Sequence, residues 1–332
     1  MSAINKNDFI RVVTNIKQEI QTTQVKTLQQ VNSNLIMMYF RIGKILSEFG
    51  SNDPHFINKV ELELKIDFPT LQGFSGTNLR RMRSFYEEYK NDQKCAQLVL
   101  KLSWGHNILL LSKIKDRKIR ELYMRATIEN GWSRNVLAMQ IESGYHQRIG
   151  KGTNNFKSSL SPTNSDLVNK MMKDPYIFDF LTLKEGYKEK ELERAMTERI
   201  KNVLMELGKG FSFVGNQYKI GMPDGDYYID LLFYHLDLRC YIAIELKATK
   251  FKPEYIGQLG FYVTAIDETL KKANDNQTIG LLLCREKDKL TVNWSLRSSK
   301  VPIGVSEFEL EKYIPKDVLE KLPTKEDLDL YV

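Results

Sequence analysis

Three charged residues in the second half of the chain lie in stretches that are otherwise apolar. Asp230 stands in Tyr-Ile-Asp-Leu-Leu, and Glu245 and Lys247 stand in Ile-Glu-Leu-Lys-Ala. Side chains alternate between the two faces of a β-strand, so Glu245 and Lys247 project from one face while Ile244 and Leu246 project from the other. Because a buried carboxylate is costly unless it is paired or binds a metal, these charges require a compensating partner.

Two carboxylates on adjacent strands suit a magnesium ion. Mg²⁺ prefers oxygen ligands, keeps several waters and takes phosphate oxygens as its remaining ligands. We therefore expect Asp230 and Glu245 to bind Mg²⁺, with Mn²⁺ as a substitute, and Lys247 to hold or help deprotonate an attacking water. The pattern is short, however, and a structural ion pair at a sheet edge would produce it equally well.

A helix predicted at residues 188–207 must face these strands. Its apolar stripe consists of Leu192, Met196, Ile200, Val203, Leu204 and Leu207. Glu193 falls within the stripe, with Glu189 next, whereas Glu191 and Glu198 fall outside it. An acidic side chain among residues that face the core does not stabilise the fold, so its presence there calls for another explanation. We therefore expect Glu193 to be a third acid of the site, with a carboxylate that has no partner before metal binds.

The period of the apolar residues predicts the fold class of this region. After the helix, we expect strands at residues 211–220, 227–234 and 239–247, a helix at 253–273 and a strand at 278–284. An antiparallel opening joined through a helical crossover to a buried strand makes an α/β domain, with a mixed sheet flanked by helices. Gln258 and Tyr262 lie four positions apart on the second helix and so share one surface. Taken singly, Gln258 is most simply an exposed amide.

The first 150 residues show helical spacing instead. Two amphipathic helices are predicted, one from Phe9 to Ile20 and one from Leu35 to Phe49. A third helix follows Ser75 as N-cap, and a later one follows Ser133. We expect a nearly all-α domain.

Basic residues mark two places in this helical region. Arg80, Arg81 and Arg83 lie on the outer face of the helix after Ser75, as in a helix-turn-helix that reads a major groove. A solvated face of a structural helix is the alternative. A second basic run consists of Lys113, Lys115, Arg117, Lys118 and Arg120. It could contact phosphate, although a solvated helix face explains it more simply.

Composition sets the organisation and the class of the protein. A chain of 332 residues with 42% hydrophobic content can bury two cores. Residues 150–166 are rich in Gly, Ser, Thr and Asn. We therefore expect a helical domain at 1–150, a linker at 151–166 and a second domain at 167–332.

Net charge and cysteine content indicate the kind of partner and the cellular compartment of the protein. The net charge of +7 leans towards a polyanionic partner. No apolar stretch reaches the roughly 18 residues of a membrane span. The three cysteines show neither CxxC spacing nor a disulfide framework, so we expect reduced thiols and a cytoplasmic protein.

The segment GNQYKIGMPDGDYYIDLLFYHLDLRCYIAIELKATKFKPEYIGQLGFYVTAIDE resembles the carboxy-terminal domain of the bacterial YhcG-type family of PD-(D/E)XK nucleases. The segments SGTNLRRMRSFYEEY, LSWGHNILLLSKIKD and ENGWSRNVLAMQIES are similar to the helical, winged-helix-like amino-terminal domain of that family. The resemblance covers nearly the whole chain. It implies a restriction-endonuclease-like domain that hydrolyses phosphodiester bonds, with DNA as the expected polymer.

The resemblance also implies roles for individual residues. Asp230, Glu245 and Lys247 match the motif aspartate and the E-x-K pair, which bind the metal and activate water. Glu193 matches the helix glutamate of the superfamily. Gln258 and Tyr262 look like the Q-x-x-x-Y element of the RecB-like branch, which holds nucleic acid near the metal. Ile229 replaces the proline of the superfamily name, a frequent departure.

Two other classes of function remain open at this stage. The chain could be a DNA-binding protein whose nuclease-like domain is inactive, although the intact Asp230, Glu245 and Lys247 argue against this. It could also be an assembly subunit, as a homo-oligomer or beside a restriction or mobile-element system. Other hydrolases are disfavoured because the sequence contains no HExxH, P-loop or GxSxG motif.

Overall fold

The chain divides into two compact units, Met1–Ala138 and Met139–Val332. The computed structural model describes residues 6–49, 55–70, 72–184, 186–222 and 225–310. Within these ranges, no helix has the length and apolar character that a membrane span requires.

The described part of the first unit is built from helices. They are α1 (Lys6–Glu48), α2 (Phe56–Asp67), α3 (Gly76–Tyr89), α4 (Gln93–Lys101), α5 (Trp104–Lys113), α6 (Arg117–Asn130) and the start of α7 (Arg134–Glu142). The side chains of Ser75 and Ser133 accept hydrogen bonds from Asn78 N and Val136 N, as their predicted capping roles require. The nearly all-α expectation is thus confirmed for these residues. They contain no strand, so the β-hairpin wing of a winged helix is absent from the described part of this unit.

Helix α1 corrects the expectation of two separate amino-terminal helices. Residues 21–34, which lie between the two predicted helices, contain neither glycine nor proline. Without a residue that breaks the helix, the backbone hydrogen bonds continue, and one helix of 43 residues results.

A close approach between α1 and α3 organises the first unit. Tyr39 and Leu46 of α1 are buried in one cluster with Leu79 and Met82 of α3. Gly43 lies on the same face, where a Cβ atom would collide with the backbone carbonyl of Met82. The absence of a side chain at Gly43 therefore lets the two helix backbones meet.

The second unit is built on a mixed sheet. Its strands are β1 (Thr153–Asn154), β2 (Tyr176–Ile177), β3 (Phe211–Met222), β4 (Gly225–His235), β5 (Cys240–Lys250), β6 (Ile279–Glu286) and β7 (Ile303–Glu309). Its helices, after α7, are α8 (Tyr145–Arg148), α9 (Phe156–Ser159), α10 (Pro162–Met171), α11 (Glu189–Glu198), α12 (Ile200–Leu207), α13 (Glu254–Thr269) and α14 (Lys289–Arg297). The strand order is β1-β7-β6-β5-β4-β3, with β2 beside β7.

The predicted topology of this sheet is confirmed. Strands β3, β4 and β5 are antiparallel, and β5, β6 and β7 are parallel. Side chains of α11 and α12 pack on one face of the sheet, and side chains of α13 and α14 pack on the other. The predicted helix at 188–207 is two helices, because the backbone leaves the helical conformation at Arg199. Sequence analysis missed α14 and β7.

The predicted linker is part of the second unit. Thr153 pairs with Val305, and Phe156 is fully buried. Asn155 donates to the carbonyl of Val301 (2.9 Å) and accepts from the amide of Ile303 (2.8 Å). The polar side chains of this segment form hydrogen bonds with backbone groups of β7 and of the residues just before it. Residues 151–166 therefore do not form a linker, and the division of the chain falls after Ala138 rather than after residue 150.

Replacing Gly43 with alanine tests the close approach of α1 and α3. We expect Gly43→Ala to lower the stability of the first unit by roughly 1–3 kcal/mol, because the helices must move apart. Gly257→Ala is the matched control: it lies in α13 with no atom near its added methyl group and should be neutral or slightly stabilising. Thermal and urea unfolding of both variants provide the measurement. Equal stability of Gly43→Ala and wild type would contradict the packing.

Candidate active site

The site forms where strands β4 and β5 separate. The backbone pairing of these strands runs from His235 and Cys240 to Leu231 and Ile244 and ends there. One residue further, the Asp230 carboxylate accepts a hydrogen bond from the backbone amide of Leu246 (Oδ2 to N, 2.9 Å). A side chain thus satisfies an amide that the neighbouring strand no longer reaches. Asp230 is thereby placed beside the β5 segment that carries Glu245.

Glu245 and Lys247 project from one face of β5, as predicted. Both are buried, with 2% and 7% of their surfaces exposed. The Lys247 ammonium donates to Glu245 Oε1 (2.8 Å) and lies 3.4 Å from Glu189 Oε2 on α11. It also stands over the ring of Tyr255, 5.0 Å from the centroid. These contacts hold the lysine head between two acids and an aromatic face.

Glu193 is buried within the core-facing stripe of α11, as predicted, whereas Glu191 and Glu198 are exposed. The expectation that its carboxylate has no partner is wrong. Glu193 Oε1 accepts from Asn216 Nδ2 (3.0 Å), and Oε2 accepts from Gln217 Nε2 (2.7 Å). Two amides of β3 therefore compensate the buried charge before any metal binds.

Gln217 connects two acids of the site. Its side-chain amide donates both to Glu193 Oε2 and to Asp230 Oδ1 (3.1 Å). Its backbone has a φ of 42°, in the left-handed region that non-glycine residues seldom occupy. The register of β3 shifts at a bulge between Phe213 and Gly215. This shift places Gln217 between the pairs Asn216–Leu231 and Tyr218–Ile229, level with Asp230.

Burial and neighbouring charges raise the pKa of Asp230 and of Glu245. Burial raises the pKa of Asp230 to about 6, and the charges of Glu193 and Glu189 add to the rise. Burial and the Asp230 charge raise the pKa of Glu245 to about 7, although Lys247 opposes this. Burial alone would lower the pKa of Lys247, but the Glu245 hydrogen bond and the charges of the acids outweigh it and raise that pKa. The site is therefore acidic around one ammonium.

One carboxylate oxygen has no partner. Glu245 Oε2 is buried and accepts no hydrogen bond. A divalent cation bound by Glu245 and Asp230 would satisfy this hard oxygen, so the residues fit the metal. Among the residues described, no three His, Cys, Asp or Glu side chains converge as a metal-binding group. Two protein carboxylates completed by water and phosphate oxygens are the usual arrangement for Mg²⁺.

Gln258 and Tyr262 share one surface of α13, as predicted. The Gln258 amide donates to the Tyr262 hydroxyl (3.1 Å). Gln258 is exposed and Tyr262 is buried. Burial raises the pKa of Tyr262, and the Glu245 and Asp230 charges raise it further, which places this tyrosine close to the site.

The basic residues of the first unit separate into two kinds. Arg80, Arg81 and Arg83 are all exposed on α3, and Arg80 donates to Asn58 Oδ1 (2.8 Å). Lys113, Lys115 and Arg117 are exposed as well, although Arg117 pairs with Glu88 (3.0 Å). Arg120 is wrongly included in the basic run. It is buried, bonds to Glu88 and the carbonyl of Ile114, and has a structural role.

Sequence analysis missed several groups of the site: Gln217, Asn216, Tyr255 and the contact of Glu189 with Lys247. Gln217 and Asn216 are polar residues in a strand with no motif around them. Tyr255 lies three positions before Gln258 on α13, so the two residues share one face of that helix. This spacing is the one sequence feature that could have predicted Tyr255 near the site.

Comparisons with known proteins agree with the geometry. Residues 169–323 match the family model described as the YhcG PDDEXK nuclease domain, and residues 15–148 match the DUF1016 N-terminal domain. A curated relative named "Putative nuclease YhcG", from Escherichia coli (strain K12), is 26% identical over 331 residues, and the match covers 88% of each chain.

Two solved structures show a weaker likeness. "Structure of EndoMS-dsDNA2 complex" is 17% identical with a TM-score of 0.28, covering 41% of this chain and 48% of that one. "Crystal structure of a repair endonuclease from Pyrococcus abyssi" is 16% identical with a TM-score of 0.25, covering 40% and 50%. The chain thus spans about half the length of these structures. Its restriction-endonuclease-like fold is assigned from the sheet and from the family match.

The raised pKa values predict how the metal-free protein responds to pH. Because the folded state holds the protons of Asp230 and Glu245 up to pH values of about 6 and about 7, stability should fall as pH rises towards neutrality. For Glu245 alone, the loss over the whole titration is on the order of 3 kcal/mol. Glu245→Gln removes this proton difference, so its melting temperature in EDTA should fall less.

Thermal melting from pH 5 to pH 8 measures this difference, with Glu286→Gln at the exposed end of β6 as the control. At pH 8, added Mg²⁺ should raise the melting temperature of wild type and of the control but not of Glu245→Gln. Parallel pH profiles for wild type and Glu245→Gln would contradict the electrostatic account of the site.

Proposed function

We propose that this chain, which belongs to the YhcG-type family of PDDEXK nucleases, hydrolyses phosphodiester bonds of DNA with the help of a divalent metal, Mg²⁺ or Mn²⁺. The observation that carries the proposal is the meeting of Asp230, Glu245 and Lys247 where β4 and β5 separate. Glu245 Oε2, buried without a hydrogen-bond donor, is the oxygen that a cation would satisfy.

Asp230 and Glu245 are the residues proposed to hold the metal. A bound divalent cation supplies Lewis-acid polarisation of the scissile phosphate and neutralises charge on the leaving oxygen. Asp230 is already oriented for this task, because the Leu246 amide fixes Oδ2 and the Gln217 amide contacts Oδ1. Glu245 is oriented by Lys247 through Oε1, which leaves Oε2 for the metal.

Lys247 is proposed to orient the attacking water. The acids around it raise its pKa, so it carries a proton at neutral pH and acts as a hydrogen-bond donor rather than as a base. Two acidic oxygens engage its ammonium, and an ammonium has three protons to donate. Its remaining donor and its positive charge can hold a water and stabilise charge that develops on the phosphate.

Glu193 is proposed to act through its neighbours. Its carboxylate is joined to Asp230 by the Gln217 amide, and its charge adds to the negative potential at Asp230. In this arrangement Glu193 and Gln217 set the position of the Asp230 carboxylate. Gln258 and Tyr262, on the other side of the sheet from α11, are proposed to contact the nucleic acid near the metal.

DNA is the polymer that the first unit favours. The major groove of B-form DNA admits an α-helix, whereas the deep, narrow major groove of A-form RNA excludes side chains. Helix α3 offers Arg80, Arg81 and Arg83 on its exposed face, and the chain carries a net charge of +7. We therefore propose that α3 binds duplex DNA, with Lys113, Lys115 and Arg117 as further phosphate contacts.

Cleavage assays test the proposed chemistry. Purified protein is incubated with labelled duplex DNA, single-stranded DNA, branched DNA and RNA, each with Mg²⁺, with Mn²⁺ and with EDTA. We expect metal-dependent cleavage of DNA, and a loss of at least about 100-fold in Asp230→Ala, Glu245→Ala and Lys247→Ala, because each removes a metal ligand or a charge at the phosphate. Circular dichroism checks that each variant is folded.

A pair of acids on one helix provides the matched control. Glu193→Gln should lose most of the cleavage, whereas Glu198→Gln, whose exposed side chain pairs with Arg194, should cut normally. Full activity in Asp230→Ala, Glu245→Ala or Lys247→Ala would remove that residue from the site. Binding without cleavage under every condition would instead support a DNA-binding or assembly protein with an inactive nuclease-like domain.

Replacing Arg80, Arg81 and Arg83 together with alanine tests the proposed role of α3. Fewer counterions are then released on binding, so affinity should fall and the slope of log K against log salt should flatten by up to about three. Fluorescence anisotropy at several salt concentrations measures both. The control is Arg125→Ala with Arg194→Ala, since each of these arginines pairs with a glutamate on its own helix. An unchanged slope in the triple variant would reassign α3 to a structural role.

A further inference from the structure

Helix α1 carries an apolar stripe that its own unit covers only in part, where Met38 and Ile42 pack against the buried cluster of α1 and α3. The stripe recurs at alternating steps of three and four residues, the spacing of the a and d positions of a coiled coil. Its members are Leu28, Val31, Leu35, Met38, Ile42 and Ile45, with Phe49 directly after the last residue of α1. Leu28, Val31, Ile45 and Phe49 are 70%, 61%, 55% and 71% exposed. An apolar heptad pattern left in water indicates a surface that pairs with another helix.

The same stripe continues towards the amino terminus. Val13, Ile16 and Ile20 extend it, with the polar Gln24 at one position, and the steps from Ile16 to Leu28 are of four residues. Steps of four in succession are a stutter, which locally unwinds a coiled coil without ending it. From Val13 to Phe49 the stripe is about 54 Å long. At roughly 10 Å wide it covers about 500 Å², the size of the largest apolar patch on a typical monomer, and patches of this size are often functional.

The core of the first unit uses mainly the neighbouring face of α1. Ile36, Tyr39, Gly43 and Leu46 point towards α3 and are buried. None of residues 11–31 is buried, and nearly half of them are Val, Ile or Thr, which are weaker helix formers. Most helical stability in proteins comes from packing of an apolar face rather than from propensity. This half of α1 therefore requires a partner for its stripe.

We propose that a second copy of this chain is the partner, and that the two α1 helices pack antiparallel about a twofold axis at Val31. The stripe has five positions on either side of Val31, each three or four residues from the next. Antiparallel pairing about this residue brings together Val13 with Phe49, Ile16 with Ile45, Ile20 with Ile42, Gln24 with Met38, and Leu28 with Leu35 of the other copy. An antiparallel pair with this axis is self-complementary, as a twofold interface requires.

Two further features agree with this pairing. The exposed half of each α1 lies on the core-anchored half of the other, so each copy supplies the support that the other lacks. On the edge of the stripe, Glu19 comes opposite Arg41 of the other copy, and symmetry repeats the pair. Both side chains are exposed within one copy. Charges beside the apolar seam commonly set the partner and the orientation of paired helices.

Cysteine cross-linking tests the axis. The native cysteines Cys95, Cys240 and Cys284 are all buried, so they do not interfere. Under mild oxidation, Val31→Cys should form a cross-linked dimer, because the two copies of this residue meet at the axis. Leu28→Cys and Leu35→Cys should each remain uncross-linked alone and form a cross-linked pair when mixed. Self-cross-linking of Leu28→Cys, or none in Val31→Cys, would overturn the antiparallel arrangement.

Charge substitutions test the interface itself by sedimentation velocity and light scattering. Leu28→Glu and Ile20→Glu should each weaken the dimer by about tenfold or more, because each buries a carboxylate in an apolar seam. Val25→Glu is the matched control, since Val25 is equally apolar and 53% exposed but lies outside the stripe. A wild-type protein that is monomeric at all concentrations, or equal dissociation by Val25→Glu, would overturn the proposal. These measurements do not depend on nuclease activity.

Discussion

The hydrogen bond between the Asp230 carboxylate and the Leu246 amide is the contact on which the rest of the site depends. Strands β4 and β5 pair as far as Leu231 and Ile244 and then part, which leaves an amide that needs an acceptor. By accepting it, Asp230 stays within the sheet, while its carboxylate lies beside Glu245. Where the backbone pairing of β4 and β5 ends, an unpaired amide can thus stabilise a carboxylate among apolar residues.

The charge balance of the site follows from this position. Asp230, Glu245 and Glu189 surround one ammonium, that of Lys247, and Glu193 adds its charge at Asp230. Burial weakens the screening between these groups. The protein offsets part of the cost with the amides of Asn216 and Gln217, which donate to the acids without carrying charge. The remainder appears as raised pKa values of the Asp230 and Glu245 carboxylates. Such strain is typical of sites that are completed by a cation and is seldom retained for stability.

The sequence predicts those residues of the site whose positions follow the periodic spacing of a strand or a helix. Alternation along β5 predicts the shared face of Glu245 and Lys247, and the apolar stripe of α11 predicts the burial of Glu193 and the exposure of Glu198. Gln217 could not be predicted, because the bulge before Gly215 sets its register and no residue type around it signals a positive φ. The prediction of a linker at residues 151–166 failed for a related reason. Its polar residues, among them Asn155, bond to β7, which is distant in sequence.

The two units differ in how completely each buries its apolar surface. The second unit covers both faces of its sheet with helices, and every residue proposed for catalysis comes from this unit of one chain. The first unit buries one face of α1 and exposes another. Reading α1 as two helices hides the second face, because its stripe becomes continuous only when the helix runs through residues 21–34. Since no residue proposed for catalysis comes from α1, pairing through this helix would set how many sites one assembly brings to a nucleic acid. The chemistry of each site would be unchanged.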